Sequence, residues 1–397
     1  MRKSAVSILI LCMVLNLTGC WSNREVNDIA IVTATGLDLT KEGKFRLSLL
    51  IAVPLLIGTA TSQGTGTTEL AASAGWLVAE DGDTVMDAYR NLQQKLPRKI
   101  FFSHNRVIII GKQLAAQGTV QVLDFFQRYR QSQMKNFLAV SETTALELMQ
   151  FQPKFEKLAS EVLVDEFDQR VLPSIRLVDF LNILQSQGVE PVVPMLGIAP
   201  SGRGQPKKKG TSLSVSGTAV FKNDRMIGKL NSRLSRDLLW VLDSMNEGVI
   251  TVDVEQAQRK GKISAELEKA DVKRKIEVNG DRVKVKLKVK VTANIYENTS
   301  SMDLADAKNT QLTIHDLKQD IRTRIERTIK YVQSNFNSDI FGFGQTMYRT
   351  RPSVWKSQFR ERWETVFPEI EPAVEVEVRV LRNGLTNKSI KLSEVNP

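Results

Sequence analysis

The stretch that most limits the possible folds lies between residues 263 and 291. Val283, Val285, Leu287, Val289 and Val291 alternate without a break with Lys284, Lys286, Lys288 and Lys290. Side chains of a strand point to opposite faces with a period of two, so this run predicts a strand with one face in a core and a lysine face in water. Asn279-Gly280 precedes it and carries the signature of a type I′ hairpin, which gives the strand an antiparallel partner. On that partner the apolar set sits at odd positions first (Ile263, Ala265, Leu267) and at even positions later (Val272, Ile276, Val278). A slip of one residue swaps the faces, so a β-bulge is expected near Glu268–Asp271. Leu317, Ile321, Ile325, Ile329, Val332 and Phe336 form a helical stripe, with Thr313 and Asp316 expected as its capping box. Trp355, Phe359 and Trp363 mark a further helical piece. Ala373–Leu381 alternates valines with Glu375, Glu377 and Arg379, and pairing beside the lysine strand would set opposite charges across from each other.

Upstream, Ile29–Leu39 and Lys44–Val53 are expected as strands joined at Lys41-Glu42-Gly43, followed by a flexible Gly/Ser/Thr loop over 59–68. A helix over Thr84–Leu96, closed by Pro97, carries Val85, Ala88, Leu92 and Leu96 on one face. Lys99–Gly111 reads as one strand whose Val107–Ile110 end is apolar on both faces. Helices near Val120–Tyr129 and Thr144–Gln150 bracket a short strand at Phe137–Val140. After Pro173 the pattern restarts: Ser174 is the expected N-cap of a helix ending at Gly188, and Pro191 and Pro194 mark an extended segment. A basic loop over 203–210 contains Lys207, Lys208 and Lys209. A hairpin turns at Asn223-Asp224, a helix carries Leu234, Leu238, Leu239 and Leu242, a strand covers Gly248–Val254, and Gln256–Lys262 reads as a linker. The expected class is α+β, with three mixed domains in series, each a mainly antiparallel sheet packed by helices. The boundaries fall at 20–172, 173–262 and 263–397, behind a leader over 1–19. A chain of 397 residues exceeds one ordinary core, in keeping with several domains.

The leader fixes where the rest would reside. Arg2 and Lys3 precede an apolar run from Ser7 to Leu17, the layout of a secretory signal peptide and too short to cross a bilayer. Leu17-Thr18-Gly19-Cys20 resembles a bacterial lipobox, which implies cleavage between Gly19 and Cys20 and lipid on the Cys20 thiol and amino group. Several acyl chains on one residue make a stable anchor for a water-soluble body. Leu47–Ile57 is too short to span and carries Pro54, so it reads as a buried strand. Net charge is +11, and loss of Arg2 and Lys3 with the leader leaves +9. A basic body tethered to a membrane is drawn to acidic headgroups, whereas nucleic acid is an improbable partner for an exported chain. Cys12 leaves with the leader, so Cys20 alone remains and neither a disulfide nor a thiolate metal cluster can form.

Catalytic constellations do not assemble. His104 and His315 have no partner in sequence, and Ser103 beside His104 on a strand would point to the other face. Ser132–Lys135 and Ser353–Lys356 match Ser-x-x-Lys without the accompanying Lys-Thr-Gly. Gly342 and Gly344 do not open a dinucleotide fingerprint. No enzyme and no cofactor is expected. The lysine strand reads first as a solvated face, or as a guard against edge pairing.

Cys20-Trp21-Ser22-Asn23-Arg24-Glu25-Val26-Asn27-Asp28, leading into Gly36-Leu37-Asp38, resembles the mature start of the Ger(x)C lipoproteins. Phe101–His104, Gly217–Asn223 and Gly248–Val252 are similar to the same family, as is Asp339-Ile340-Phe341-Gly342-Phe343-Gly344 followed by Pro352, Trp355, Trp363 and Phe367. The resemblance runs from residue 20 to about 380. It implies a non-catalytic C subunit of a spore nutrient germinant receptor, lipid-anchored to the outer face of the spore inner membrane, with A and B subunits as partners. Phe341 and Phe343 are expected to pack beside Phe336; together with Lys207–Lys209 they are also the candidate contacts for a partner or the membrane. The alternatives are a surface lipoprotein that binds a solute or envelope polymer, which requires a deep polar pocket, and a hydrolase built on His104.

Overall fold

The computed structural model describes residues 28–53, 75–151, 159–168, 172–200, 211–245, 247–256, 259–300 and 302–382. The expected signal peptide and lipobox, the expected 59–68 loop and the 203–210 stretch lie outside the described residues.

Ten strands form a first sheet: β1 (Ile29–Leu39), β2 (Phe45–Ala52), β3 (Gly75–Gly82), β4 (Lys99–Phe101), β5 (Val107–Gly111), β6 (Phe137–Ser141), β7 (Ile175–Arg176), β8 (Val192–Pro200), β9 (Thr211–Lys222) and β10 (Arg225–Asn231). The order is β10-β9-β8-β6-β5-β1-β2-β3, with β4 on β1 and β7 on β6. The mixed α/β class is as expected, but the centre of this sheet is parallel: β1 pairs β5, β5 pairs β6 and β6 pairs β8 in parallel, and antiparallel strands flank them. A parallel centre needs helices on both faces. The face carrying Ile108 and Ile110 is covered by α1 (Val85–Lys95), α2 (Lys112–Gln117), α3 (Val120–Arg128) and, later in the chain, α6 (Leu177–Leu184). The face carrying Val107 and Ile109 is covered by α4 (Ala145–Met149) and α5 (Ala159–Asp168). The unbroken apolar run of β5 is the sequence mark of that double burial.

Local chemistry sets several ends. Thr84 caps α1 by accepting from Asp87 N, and Asp38 at the end of β1 caps α4, its carboxylate accepting from Ala145 N at 2.7 Å and Leu146 N at 2.9 Å. Three expectations are corrected. Lys99–Gly111 is two strands, because the chain turns at Phe102–Asn105, where Asn105 N donates to Phe102 O. Ser174 does not cap a helix: Ile175 and Arg176 pair with β6 as β7, and α6 begins at Leu177. Gln256–Lys262 is no linker, since Gln256 and Arg259 are a paired position of the next hairpin.

The second sheet has the order β11-β12-β13-β14, from β11 (Val249–Gln256), β12 (Arg259–Asn279), β13 (Arg282–Asn298) and β14 (Pro372–Arg382). Its inner face packs on α7 (Ser232–Val241) and α8 (Ala307–Asn335). The bulge is where the alternation places it: Leu267 pairs Ala293 and Lys269 pairs Thr292, leaving Glu268 unpaired. β14 lies parallel beside the lysine strand, with Lys288 opposite Glu375 and Lys290 opposite Glu377. Lys288 reaches Glu377 at 2.5 Å and Glu375 at 3.4 Å. The β12–β13 turn consists of Gly280 and Asp281, and only Gly280 has a positive φ (59°), so it is not the type I′ turn that needs two. α8 starts earlier than expected, at the Asp306 N-cap; Thr313 lies inside it and donates to Asn309 O. Its stripe from Leu317 to Val332 is buried as predicted. The segment 173–262, expected as a middle domain, has no sheet of its own. Its strands β8–β10 extend the first sheet, while α7 and β11 belong to the second body.

Candidate functional site

The two bodies meet at Asp339-Ile340-Phe341-Gly342-Phe343-Gly344, and the meeting is organised by one buried carboxylate. Asp339 Oδ1 accepts from Phe343 N at 3.1 Å; Oδ2 accepts from Gly344 N at 2.8 Å and Trp363 Nε1 at 3.0 Å. Phe343 and Gly344 open a helix, α9 (Phe343–Thr350), so the carboxylate satisfies its first free N–H groups. Burial pushes the Asp339 pKa up to about 6 against the pull of those three donors and of Arg274. Arg274 comes from β12. Its Nη2 donates to Val241 O at 2.7 Å and its Nη1 to Phe341 O, and the guanidinium lies 5.5 Å over the Phe343 ring.

The first body contributes Gln187, Gly188 and Glu190. Gly188 O accepts from Gln345 N at 2.7 Å, Glu190 N donates to Asp339 O at 3.0 Å, and Gln187 Oε1 accepts from Trp355 Nε1 at 2.9 Å. Two glycines make this approach possible. A Cβ on Gly188, whose φ is 69°, would sit 2.5 Å from the Gly344 carbonyl carbon, and one on Gly344 would sit 2.8 Å from Gly188 Cα. Glu190 Oε2 accepts from Asn223 N at 2.6 Å. Burial pushes its pKa up to about 7, Asn223 N and Lys222 oppose that, and Asp339 and Glu364 reinforce it. Beside the joint a cleft of about 470 Å³ is lined by residues of both bodies, among them Phe137, Ser174, Arg176, Arg274, Phe341 and Gln345.

Phe341 (2% exposed) and Phe343 (0%) stack on each other at 5.2 Å and join the core with Phe367, so their rings offer no surface to a partner. Gly19, Cys20 and Lys207–Lys209 lie outside the described residues, and only the ends of the basic loop can be placed, at Pro200 and Thr211. His104 is exposed in the turn before β5 beside Phe101, and His315 is exposed in mid-α8; they sit in different bodies and share no partner. Among the described residues no three His, Cys, Asp or Glu are placed to hold a metal, and no helix is long and apolar enough to cross a membrane. Sequence reasoning missed Asp339, Arg274 and Glu190. Arg274 was within reach: past the bulge the even positions of β12 face inward, and 274 is even.

The two halves of the chain match two family models, "Spore germination protein N-terminal domain" over residues 22–198 and "Spore germination B3/ GerAC like, C-terminal" over residues 216–384. Spore germination protein KC of Bacillus subtilis (strain 168) is 26% identical, with 98% of each chain covered. Spore germination protein GerQC of Bacillus cereus is 23% identical, covering 96% of this chain and 99% of the relative. The crystal structure of the GerBC protein superposes with a TM-score of 0.55 at 14% identity, over 87% of this chain and 96% of that one, a likeness of fold.

Proposed function

The chain belongs to the Ger(x)C family of spore germination proteins, and from that premise we propose that it is the lipid-anchored C subunit of a nutrient germinant receptor. The supporting observation is coverage: the two family models run from residue 22 to residue 384, and the relatives align end to end. In this reading Gly19–Cys20 is cleaved and Cys20 carries the lipid, the body rests on the outer face of the spore inner membrane, and it assembles with A and B subunits. It acts by binding and not by catalysis, which accords with the separated histidines and the joint built from structural hydrogen bonds. The Lys207–Lys209 loop is a contact for an acidic partner in the same reading. The cleft at the joint favours a second reading, a surface lipoprotein that takes a solute between its two bodies.

A Cys20→Ala substitution followed by membrane fractionation of spores and a nutrient germination assay tests the first reading. Loss of membrane retention together with loss of the nutrient response, with receptor-independent germination intact, is the expected result. A released protein with an unchanged nutrient response would sink the receptor assignment.

A further inference from the structure

One end of the first sheet gathers exposed cations from several loops. β1, β5, β6 and β8 run parallel, so they start at one end and finish at the other. At the starting end, Arg98 and Lys99 lead β4 beside Ile29, Arg106 precedes β5, Arg130 and Lys135 lie in the loop into β6, and Arg176 pairs opposite Phe137. All six are exposed, and none makes an ion pair among the described residues. The loops are fastened together, because Gln133 Nε2 donates to Ser103 O, and Arg176 is held 5.1 Å over the Phe137 ring. The carboxylates of this end are Asp28 at the start of β1, Asp224 in the β9–β10 turn, where it accepts from Thr119 N and Val120 N, and Asp168, Asp179 and Glu190 along the cleft. Trp76, at the first turn of pairing between β3 and β2, is 48% exposed, whereas Trp240, Trp355 and Trp363 are buried. At the finishing end Lys44 pairs with Asp83 and Lys229 with Glu142, while Lys41 and Lys112 make no ion pair among the described residues.

We propose that the starting end of the first sheet is a membrane-facing surface that seats on anionic phospholipid headgroups. The direction rests on the lipid proposed above at Cys20. Asp28 follows Cys20 by eight residues, which even fully extended span at most about 28 Å. A lipid on Cys20 therefore keeps this end of the sheet within that distance of the bilayer. There, unpaired Lys and Arg side chains meet the negative surface potential of anionic lipid. Trp76 supplies the amphipathic ring that sits at headgroup level. An acidic protein partner would use the cations equally well but gives no reason for Trp76, the one exposed tryptophan among the described residues, at the same end of the sheet. Pro200 and Thr211 flank the Lys207–Lys209 loop at the finishing end, so this surface is separate from that loop's attachment.

The test uses the full chain reconstituted in phosphatidylcholine vesicles with or without about 30% phosphatidylglycerol, read by hydrogen exchange. Peptides over 97–107 and 129–137 are expected to exchange at least about threefold more slowly on the anionic vesicles, while peptides over 112–118 and 282–291 do not change. The protection should vanish in about 0.5 M salt, where screening acts within about 4 Å, and in the triple variant Arg98→Glu, Lys99→Glu, Arg106→Glu. Brominated lipid should quench wild-type fluorescence more than that of Trp76→Phe. Equal protection on both vesicle types, or protection only when A and B subunits are present, overturns the proposal. Mass analysis of the N-terminal peptide separates the two readings. A lipidated Cys20 with an unprotected surface leaves the anchor standing and this proposal refuted. An unmodified Cys20 with protection on anionic lipid does the reverse.

Discussion

Glu190 and Asp339 are the two carboxyl groups whose protonation bears on the joint, and both have raised pKa values, about 7 and about 6 against ordinary values of 4.5 and 3.8. A carboxyl raised on folding binds its proton more tightly folded than unfolded. Its stabilising contribution is therefore complete below its unfolded pKa and is lost as pH rises through its folded one. The groups that face them are Arg274, Lys222 and Glu364, and the two carboxyls also face each other. The melting temperature is thus expected to fall from about pH 5 to pH 7.5, and Glu190→Gln, which can still accept from Asn223 N, should flatten the upper part of that fall. Thermal unfolding across the pH series checks this; identical slopes in the two proteins would rule Glu190 out as the titrating group. Neither carboxyl could be singled out from sequence. Asp339 reads as the first residue of a Gly/Phe motif, and Glu190 as an acid before Pro191 and Pro194, because what shifts them is burial where the two bodies meet.

β12 shows how an element aims a residue. The unpaired Glu268 moves the even positions inward, and that is why Arg274 reaches Val241 and Phe341 while Lys273 and Lys275 stay in solvent. Arg274→Leu removes the donor from buried carbonyls and is expected to cost about 2–3 kcal/mol, measured by urea unfolding. Lys275→Leu, one position along on the outer face, should change stability by no more than about 0.5 kcal/mol. Equal effects at the two positions would contradict the register. This bulge, the lysine face and the β14 partner were legible because period-two alternation is a direct record of burial. The N-terminus of α8 and the split of β4 from β5 were not, because each depends on backbone partners supplied from elsewhere in the chain.

As a whole the molecule is two sheets that exchange segments: β8–β10 widen the first, and α7 with β11 crosses to the second. A fragment covering 28–200 keeps β8 without β9, baring Val193, Met195 and Leu196, whereas 28–231 completes the first sheet. The shorter fragment is expected to aggregate and the longer one to elute as a monomer in size-exclusion chromatography, since an unpaired apolar edge recruits further chains. The residues alone were enough for the mixed class, most strand and helix faces and the family pattern, because each is written in local spacing and in runs of a few residues. How the segments after Pro173 divide between the sheets, the burial of Phe341 and Phe343, the carboxylate that binds the joint and the gathering of six distant cations at one end were set by folding. They depend on contacts between positions far apart in the chain, and no local pattern records which distant surface a segment will meet.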